Sequence, residues 1–414
     1  MRRFWLLLAA LLFVPALSIA FENWERFRGP NGTGVSASKK IPMKFSDKQG
    51  VIWKTPLAGI GNSSPVIWNN RLFLHSSAGD GSTRTLACLD TETGKEVWKK
   101  NFSGAKAKTH IRNTLASCTP ATDGERVYSL IWDGQAIALY AHDFQGKEIW
   151  KRDLGGYTSQ HGPGHSPIVV GNKVLFNNDQ DGSAQLMALD AKTGKTVWEM
   201  PRKAFRACYS TPCLNATANG VELLVTTTAG ITSYNPDSGL ENWNYTWTFS
   251  KMPLRTVASP VVAGGVVFAC SGDGAGDRHL IAVRLGGKGD VTATNLAWEN
   301  RKIFPYVPSM LGYGEYLFSV NDKGQAMCNL AATGKEVWSE RLESPVTASP
   351  LLVDGKIMVF SETGEVYIYS AAADFKLLNK NSMGEPISAT PAIANDRLFL
   401  RGKNHLFCIG SPAN

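Results

Sequence analysis

The sequence predicts an all-β chain: an eight-bladed β-propeller of four-stranded antiparallel blades, the last blade closed by the N-terminal strand. Three observations predict it. A small residue followed by Pro recurs at Pro65, Pro120, Pro167, Pro212, Pro260, Pro308, Pro350 and Pro391, in steps of 41 to 55 residues. A Gly turn followed by a Trp strand recurs at Trp98, Trp150, Trp198, Trp243, Trp298 and Trp338, in steps of 40 to 55 residues. The eighth unit stops at its third strand, Leu406-Phe407-Cys408-Ile409, while an unassigned Trp strand, Val51-Ile52-Trp53-Lys54, precedes the first. Units of four short strands at this period bury their faces only against neighbours, so the ring must close.

The elements follow in chain order. Arg2 and Arg3, the apolar run Phe4 to Leu17 and the small-x-small end Ser18-Ile19-Ala20 read as a cleaved signal peptide over residues 1–20. The run is short for a bilayer span, and no Cys follows it for lipid attachment. Residues 21–50 form an arm, expected to hug the surface of the ring. Its stretch Arg28-Gly29-Pro30-Asn31-Gly32-Thr33-Gly34 lacks the Gly-Lys-Ser/Thr of a phosphate loop. Residues 51–410 form the ring, and 411–414 a tail.

Within the units, Arg71-Leu72-Phe73-Leu74, Val174-Leu175-Phe176, Val266-Val267-Phe268 and Arg397-Leu398-Phe399-Leu400 are rich in β-formers. They follow the hairpin turns Asn69-Asn70, Gly171-Asn172, Gly264-Gly265 and Asn395-Asp396. In the seventh unit an apolar residue near Leu378 stands where the others carry Trp.

Of 414 residues, 43% are apolar and 19% charged, which excludes wholesale disorder. The net charge is +8, yet Lys is scattered among turns such as Thr93-Gly94-Lys95, which argues for a solvated surface and against nucleic-acid binding. The seven Cys include no C-x-x-C. Cys88, Cys328 and Cys408 sit in apolar strand patterns and read as buried thiols, whereas Cys208 and Cys213 could pair across a short turn.

The phrase Ala188-Leu189-Asp190-Ala191-Lys192-Thr193-Gly194-Lys195-Thr196-Val197-Trp198 resembles the tryptophan-docking motif of pyrroloquinoline-quinone-type propellers. The resemblance covers residues 51–410. It implies that Trp53, Trp98, Trp150, Trp198, Trp243, Trp298 and Trp338 each stack on the Gly turn of a neighbouring blade. The superfamily includes quinoprotein alcohol dehydrogenases and the non-enzymatic scaffold lipoprotein of outer-membrane β-barrel assembly. The dehydrogenases add an adjacent-Cys disulfide under the quinone, a metal held by carboxylates and an Asp base. This chain has no adjacent Cys pair and no C-x-x-C-H haem site, and it is shorter than those enzymes.

Candidate binding residues fall in segments that lead into a first strand or at comparable turn positions. His110, Arg112, His161 and His165 could form a polar site at the channel mouth or cap strand ends. Arg206, Tyr209, Arg255, Asp273 and Tyr306 could hold an acidic or sugar-like ligand, or tie blades together. Asn177-Asn178-Asp179-Gln180-Asp181-Gly182 resembles the start of a calcium loop, but Ala188 stands where the loop requires Glu. No zinc spacing and no G-x-S-x-G occurs, and Trp24, Trp68, Trp132 and Trp247 could line a binding face. The expectation is a monomeric periplasmic or secreted scaffold without a catalytic residue, metal or cofactor. Its partner would be an envelope or secreted protein or peptide, engaged by loops or by strand addition; a small molecule or glycan is a further possibility. The alternative is an oxidoreductase using a metal, or pyrroloquinoline quinone with calcium, in the central channel.

Overall fold

A computed structural model describes residues 22–411, apart from 219, 250–252 and 274–277. The expected signal peptide and most of the tail lie outside the described residues. Eight radial sheets carry the chain, and adjoining first strands touch around a common axis. Those first strands are Val66–Trp68, Ala121–Thr122, Ile168–Val170, Cys213–Thr217, Val261–Ala263, Leu311–Tyr313, Leu351–Val353 and Ala392–Ala394, numbered here as blades 1 to 8. The strand Val51–Pro56 completes blade 8 by antiparallel pairing with His405–Ile409, with Trp53 opposite Cys408. Both edges of the ring are thereby joined.

The Trp repeat explains how blades lock. The ring of Trp53 lies on Gly94 of blade 1, and its Nε1 donates to the Thr91 carbonyl at 2.9 Å. Trp98 repeats this on Gly146 and Phe144, Trp150 on Gly194 and Ala191, Trp198 on Gly239 and Pro236, and Trp298 on Gly334 and Ala331. The indole thus buries its face and satisfies its one donor in the same contact. Trp68 makes an analogous contact with Gly124, while Trp24, Trp132 and Trp247 are buried, so none of these four lines a binding face.

Three positions depart from the repeat. Trp243 has no Gly turn to dock on, because the next unit carries Val291-Thr292-Ala293-Thr294-Asn295 there; its Nε1 donates instead to Glu222 Oε2 at 3.0 Å. Trp338 donates to the Ala372 carbonyl at 3.0 Å but packs edge-on against Phe375, since blade 7 also lacks the Gly. In blade 7 the residue opposite Ile368, at the Trp register, is Asn379 and not Leu378. Asn379 donates to the Met43 carbonyl at 2.6 Å, so the arm occupies the place of the missing ring.

Gly194 has φ +69°, and a Cβ there would stand 2.6 Å from the Trp150 ring. Gly171 has φ +58° but open space around it. Gly194→Ala is therefore expected to cost about 2–4 kcal/mol, against about 1 kcal/mol for Gly171→Ala. Urea midpoints of the two variants check this, and equal losses would remove the docking account.

A second lock runs inside the ring. The backbone N–H of Ser64 donates to Thr119 Oγ1 of the next blade at 3.0 Å, and Thr119 N–H to Ser166 Oγ at 2.9 Å. The same step links Thr211 to Ser259, Ser259 to Ser309, Ser309 to Ser349 and Ser349 to Thr390. The recurring Ser-Pro and Thr-Pro phrases are this girdle. In blade 6 the girdle residue is Ser309 and Met310 follows it, so Pro308 lies two residues before the repeat position.

The arm is held on the ring by contacts with several blades. Trp24 bridges to Ile67 of blade 1, the Glu25 carbonyl accepts from Thr122 N–H of blade 2, and Arg26 donates to the Pro212 carbonyl of blade 4. Asn31 exchanges two hydrogen bonds with the Leu214 backbone, and Arg28 donates to the Met310 carbonyl. Val35–Ser36 then pairs in parallel with Leu351–Val353 of blade 7. The arm thus crosses the hairpin end of the channel from blade to blade. Trp24 and Arg28 are fully buried, and burial pushes the Arg28 guanidinium down to about 9.

All seven Cys are free and buried, so Cys208 and Cys213 are not bridged. Cys208 lies with Ser210 against the Thr226 carbonyl, while Cys213 opens the first strand of blade 4.

Candidate functional site

Loops that join the fourth strand of one blade to the first strand of the next gather at the end of the channel opposite the arm. They enclose a cavity of about 150 Å³ lined by His110, Arg112, His161, Tyr209 and Tyr306, among others, and by girdle hydroxyls, with Phe27 of the arm also contributing. Five of the nine residues selected from sequence therefore meet here. They do so because the loops before successive first strands converge on one axis.

Arg112 ties the mouth together. Its Nη1 lies 3.2 Å from Asp322 of blade 6 and its Nη2 3.3 Å from Glu362 of blade 7. Asp322 also accepts the N–H of Tyr306 at 2.8 Å and lies 3.6 Å from Arg278, whose guanidinium sits 5.1 Å above the Tyr306 ring. Across the cavity, Arg255 donates to Gln160 Oε1 at 2.8 Å and to Tyr209 Oη at 3.3 Å. Arg206 reaches the same Gln160 oxygen at 3.3 Å from the exposed side. Tyr209 Oη and Ser159 Oγ are 2.8 Å apart.

His110 and His161 meet edge to face with ring centroids 4.9 Å apart. Burial, reinforced by Arg255, His110 and Arg206, pushes His161 down to about 4. Burial, then Arg112 and Arg255, also lowers His110. Both imidazoles are held towards the neutral form, while burial pushes the Tyr306 phenol up to about 12 and raises Tyr209. The cavity offers neutral donors and acceptors beside guanidiniums already paired.

Two selected residues stand apart. His165 is fully buried and packs on Tyr157 at 5.9 Å, and neither of its ring nitrogens has a partner. Asp273 is absent from the cavity wall, and its carbonyl accepts from Arg278 at 2.7 Å. Asp322, Glu362, Gln160 and Phe27 were not selected. A signal for the first two was present: turns after second strands lie at the same end as the loops before first strands, by simple alternation.

The calcium-like turn has other work. Buried Asp179 lies 3.6 Å from Arg202, while Asp181 accepts from the backbone of Gln160 and Ala207. Among the described residues no three His, Cys, Asp or Glu side chains gather as a metal site. At the mouth, the guanidinium of Arg112 lies between the carboxylates that a calcium ion would need. No Cys pair forms a platform for a quinone. These residues do not fit quinone with calcium.

The family model described as outer membrane protein assembly factor BamB matches residues 44–144, 133–297, 307–374 and 331–409. The BamB of Moranella endobia is 26% identical over 204 residues, covering 39% of this chain and 49% of that one. The quinoprotein ethanol dehydrogenase of Pseudomonas putida is 24% identical over 228 residues, covering 47% of this chain and 34% of that one. The chain thus spans about half, or less, of these curated relatives. Among solved structures, BamB from Moraxella catarrhalis matches 87% of this chain and 99% of its own, with TM-score 0.61 and 14% identity. The quinohemoprotein alcohol dehydrogenase of Comamonas testosteroni matches 95% and 81%, with TM-score 0.65 and 15% identity. At such identities these two structures establish the shared fold.

Proposed function

The chain belongs to the family described as outer membrane protein assembly factor BamB, and on that premise we propose that it is an extracytoplasmic scaffold holding a protein or peptide. One observation carries the reading. The loop face around the cavity exposes large apolar side chains, Ile111 at 95%, Ile303 at 53%, Phe205 at 47% and Ile60 at 45%, beside a mouth whose acids are already engaged. Exposed apolar groups rimmed by polar ones suit a partner surface better than a reaction centre. Cleavage after Ala20 would leave the arm and ring as a mature chain in the periplasm or medium. No helix among the described residues is long and apolar enough to cross a membrane.

A photo-cross-linker at Ile111 or Ile303, used in the native envelope fraction, is expected to capture one protein. The same probe at Val197, exposed on the outer strand of blade 3, is expected to miss it. Equal capture at all three positions would defeat the assignment of the face. The relatives named as quinoprotein dehydrogenases favour a second reading, oxidation of an alcohol. Purified protein with the quinone, calcium and an acceptor dye should give no turnover with alcohols or aldoses; turnover would replace the scaffold reading.

A further inference from the structure

The chemistry of the partner can be read further from the same face; this inference rests on the scaffold reading. The eight loops that lead into first strands (57–65, 104–120, 157–167, 202–212, 247–260, 301–310, 342–350 and 383–391) contain ten Lys or Arg and two acids, Glu343 and Glu385, which lie against Lys380 and His405. Acids on this face sit mainly in the turns after second strands. Those nearest the mouth are engaged: Asp181 near Arg255 and by backbone donors, Asp322 by Arg112 and Arg278, and Glu362 by Arg112.

The balance breaks between blades 5 and 6. There a groove of about 270 Å³ is lined by Arg278, Lys302, Ile303, Asp322, Lys323 and Arg341, among others. Asp322 is its one carboxylate and is buried and already doubly paired. Lys302, Lys323 and Arg341 are exposed and take part in no ion pair among the described residues. Ile303 lies half exposed among them. Three unpaired cations around a concavity with an apolar lip favour anionic groups carried on an amphipathic chain. A glycan would call for flat aromatic platforms, and the groove lining holds Phe304 buried instead.

We propose that this groove anchors an acidic segment of the protein partner. Its carboxylates meet Lys302, Lys323 and Arg341, and an apolar side chain rests on Ile303. The attraction is partly solvent-exposed, so it falls with salt and governs association more than residence.

The test is fluorescence anisotropy of the mature chain with a labelled short peptide alternating Glu and Leu. A Lys and Leu counterpart and labelled polygalacturonate serve as the other probes. The acidic peptide should bind, and the combined change Lys302→Glu, Lys323→Glu, Arg341→Glu should weaken it by about tenfold or more. The conservative set Lys302→Arg, Lys323→Arg, Arg341→Lys should retain binding. Reversal of Lys95, Lys195 and Lys335, in turns at the opposite face, should leave it unchanged. The proposal is overturned if the basic peptide binds as well, if only the polysaccharide binds, or if groove reversal has no effect. The scaffold reading fails separately, if the Ile111 and Ile303 probes capture no protein even in the unaltered chain; if they capture their partner from the groove-reversed variant with undiminished yield, the scaffold stands and the acidic anchor falls.

Discussion

Trp53→Ala is expected to lower stability by about 3–5 kcal/mol, among the largest losses of any single truncation in the ring. Three contacts disappear together. The indole covers Gly94 of blade 1, donates to the Thr91 carbonyl at 2.9 Å, and lies 6.0 Å from Phe399 of its own blade. Trp53 also sits on the strand that joins the first and last units, so its loss loosens the closure and not one blade alone. Leu378→Ala gives the comparison, because Leu378 is an exposed strand residue without that register role and should cost under about 1 kcal/mol. Denaturant midpoints of the two variants decide the matter; similar midpoints would contradict closure as the critical lock.

Stability is also expected to fall steeply as pH drops from about 6.5 towards 4, by about 3 kcal/mol for each of two buried histidines. Burial pushes His165 down to about 4, and burial with Arg401 and His142 pushes His75 down to about 4 against the opposing effect of the Cys118 carbonyl. An imidazole free of such surroundings, as in an unfolded chain, titrates at about 6.5. Between those values the unfolded state binds more protons than the folded one, so lowering pH favours unfolding. Above the unfolded value neither form is protonated and the dependence vanishes. Because neither ring nitrogen of His165 has a partner, His165→Leu should leave stability near pH 7.5 unchanged or slightly raised. The same variant should recover about 3 kcal/mol near pH 4. Equal acid sensitivity in the variant and the parent chain would refute this assignment.

The fold was legible because its locks are written in residue types with narrow roles. A Gly with positive φ beside a Trp marks a blade boundary, and Ser-Pro or Thr-Pro marks the girdle. Where the partners change, the marks mislead. Trp243 looks like the others but bonds Glu222, and Asn379 takes the Trp register because the arm supplies its partner. The burial of the arm was hidden for a different reason. No pattern in the sequence marks Arg26 and Arg28 for burial, yet they reach the carbonyls of Pro212 and Met310, more than 180 positions away in sequence. Half the candidate site was visible in the loops before first strands. Its carboxylates were not, since Asp322 and Glu362 look like ordinary turn residues until the ring brings them to Arg112.

Pairing of Val51–Pro56 with His405–Ile409 has a consequence for biogenesis. These two strands are separated by about as much chain as the ring contains, so contact order at this seam is at its maximum and the step that forms it is intrinsically slow. During synthesis or export, the early strand must wait exposed while seven units emerge and collapse. Until then it offers an unpaired edge to other chains. Refolding yield should therefore depend on protein concentration far more than the stability of the finished ring would suggest.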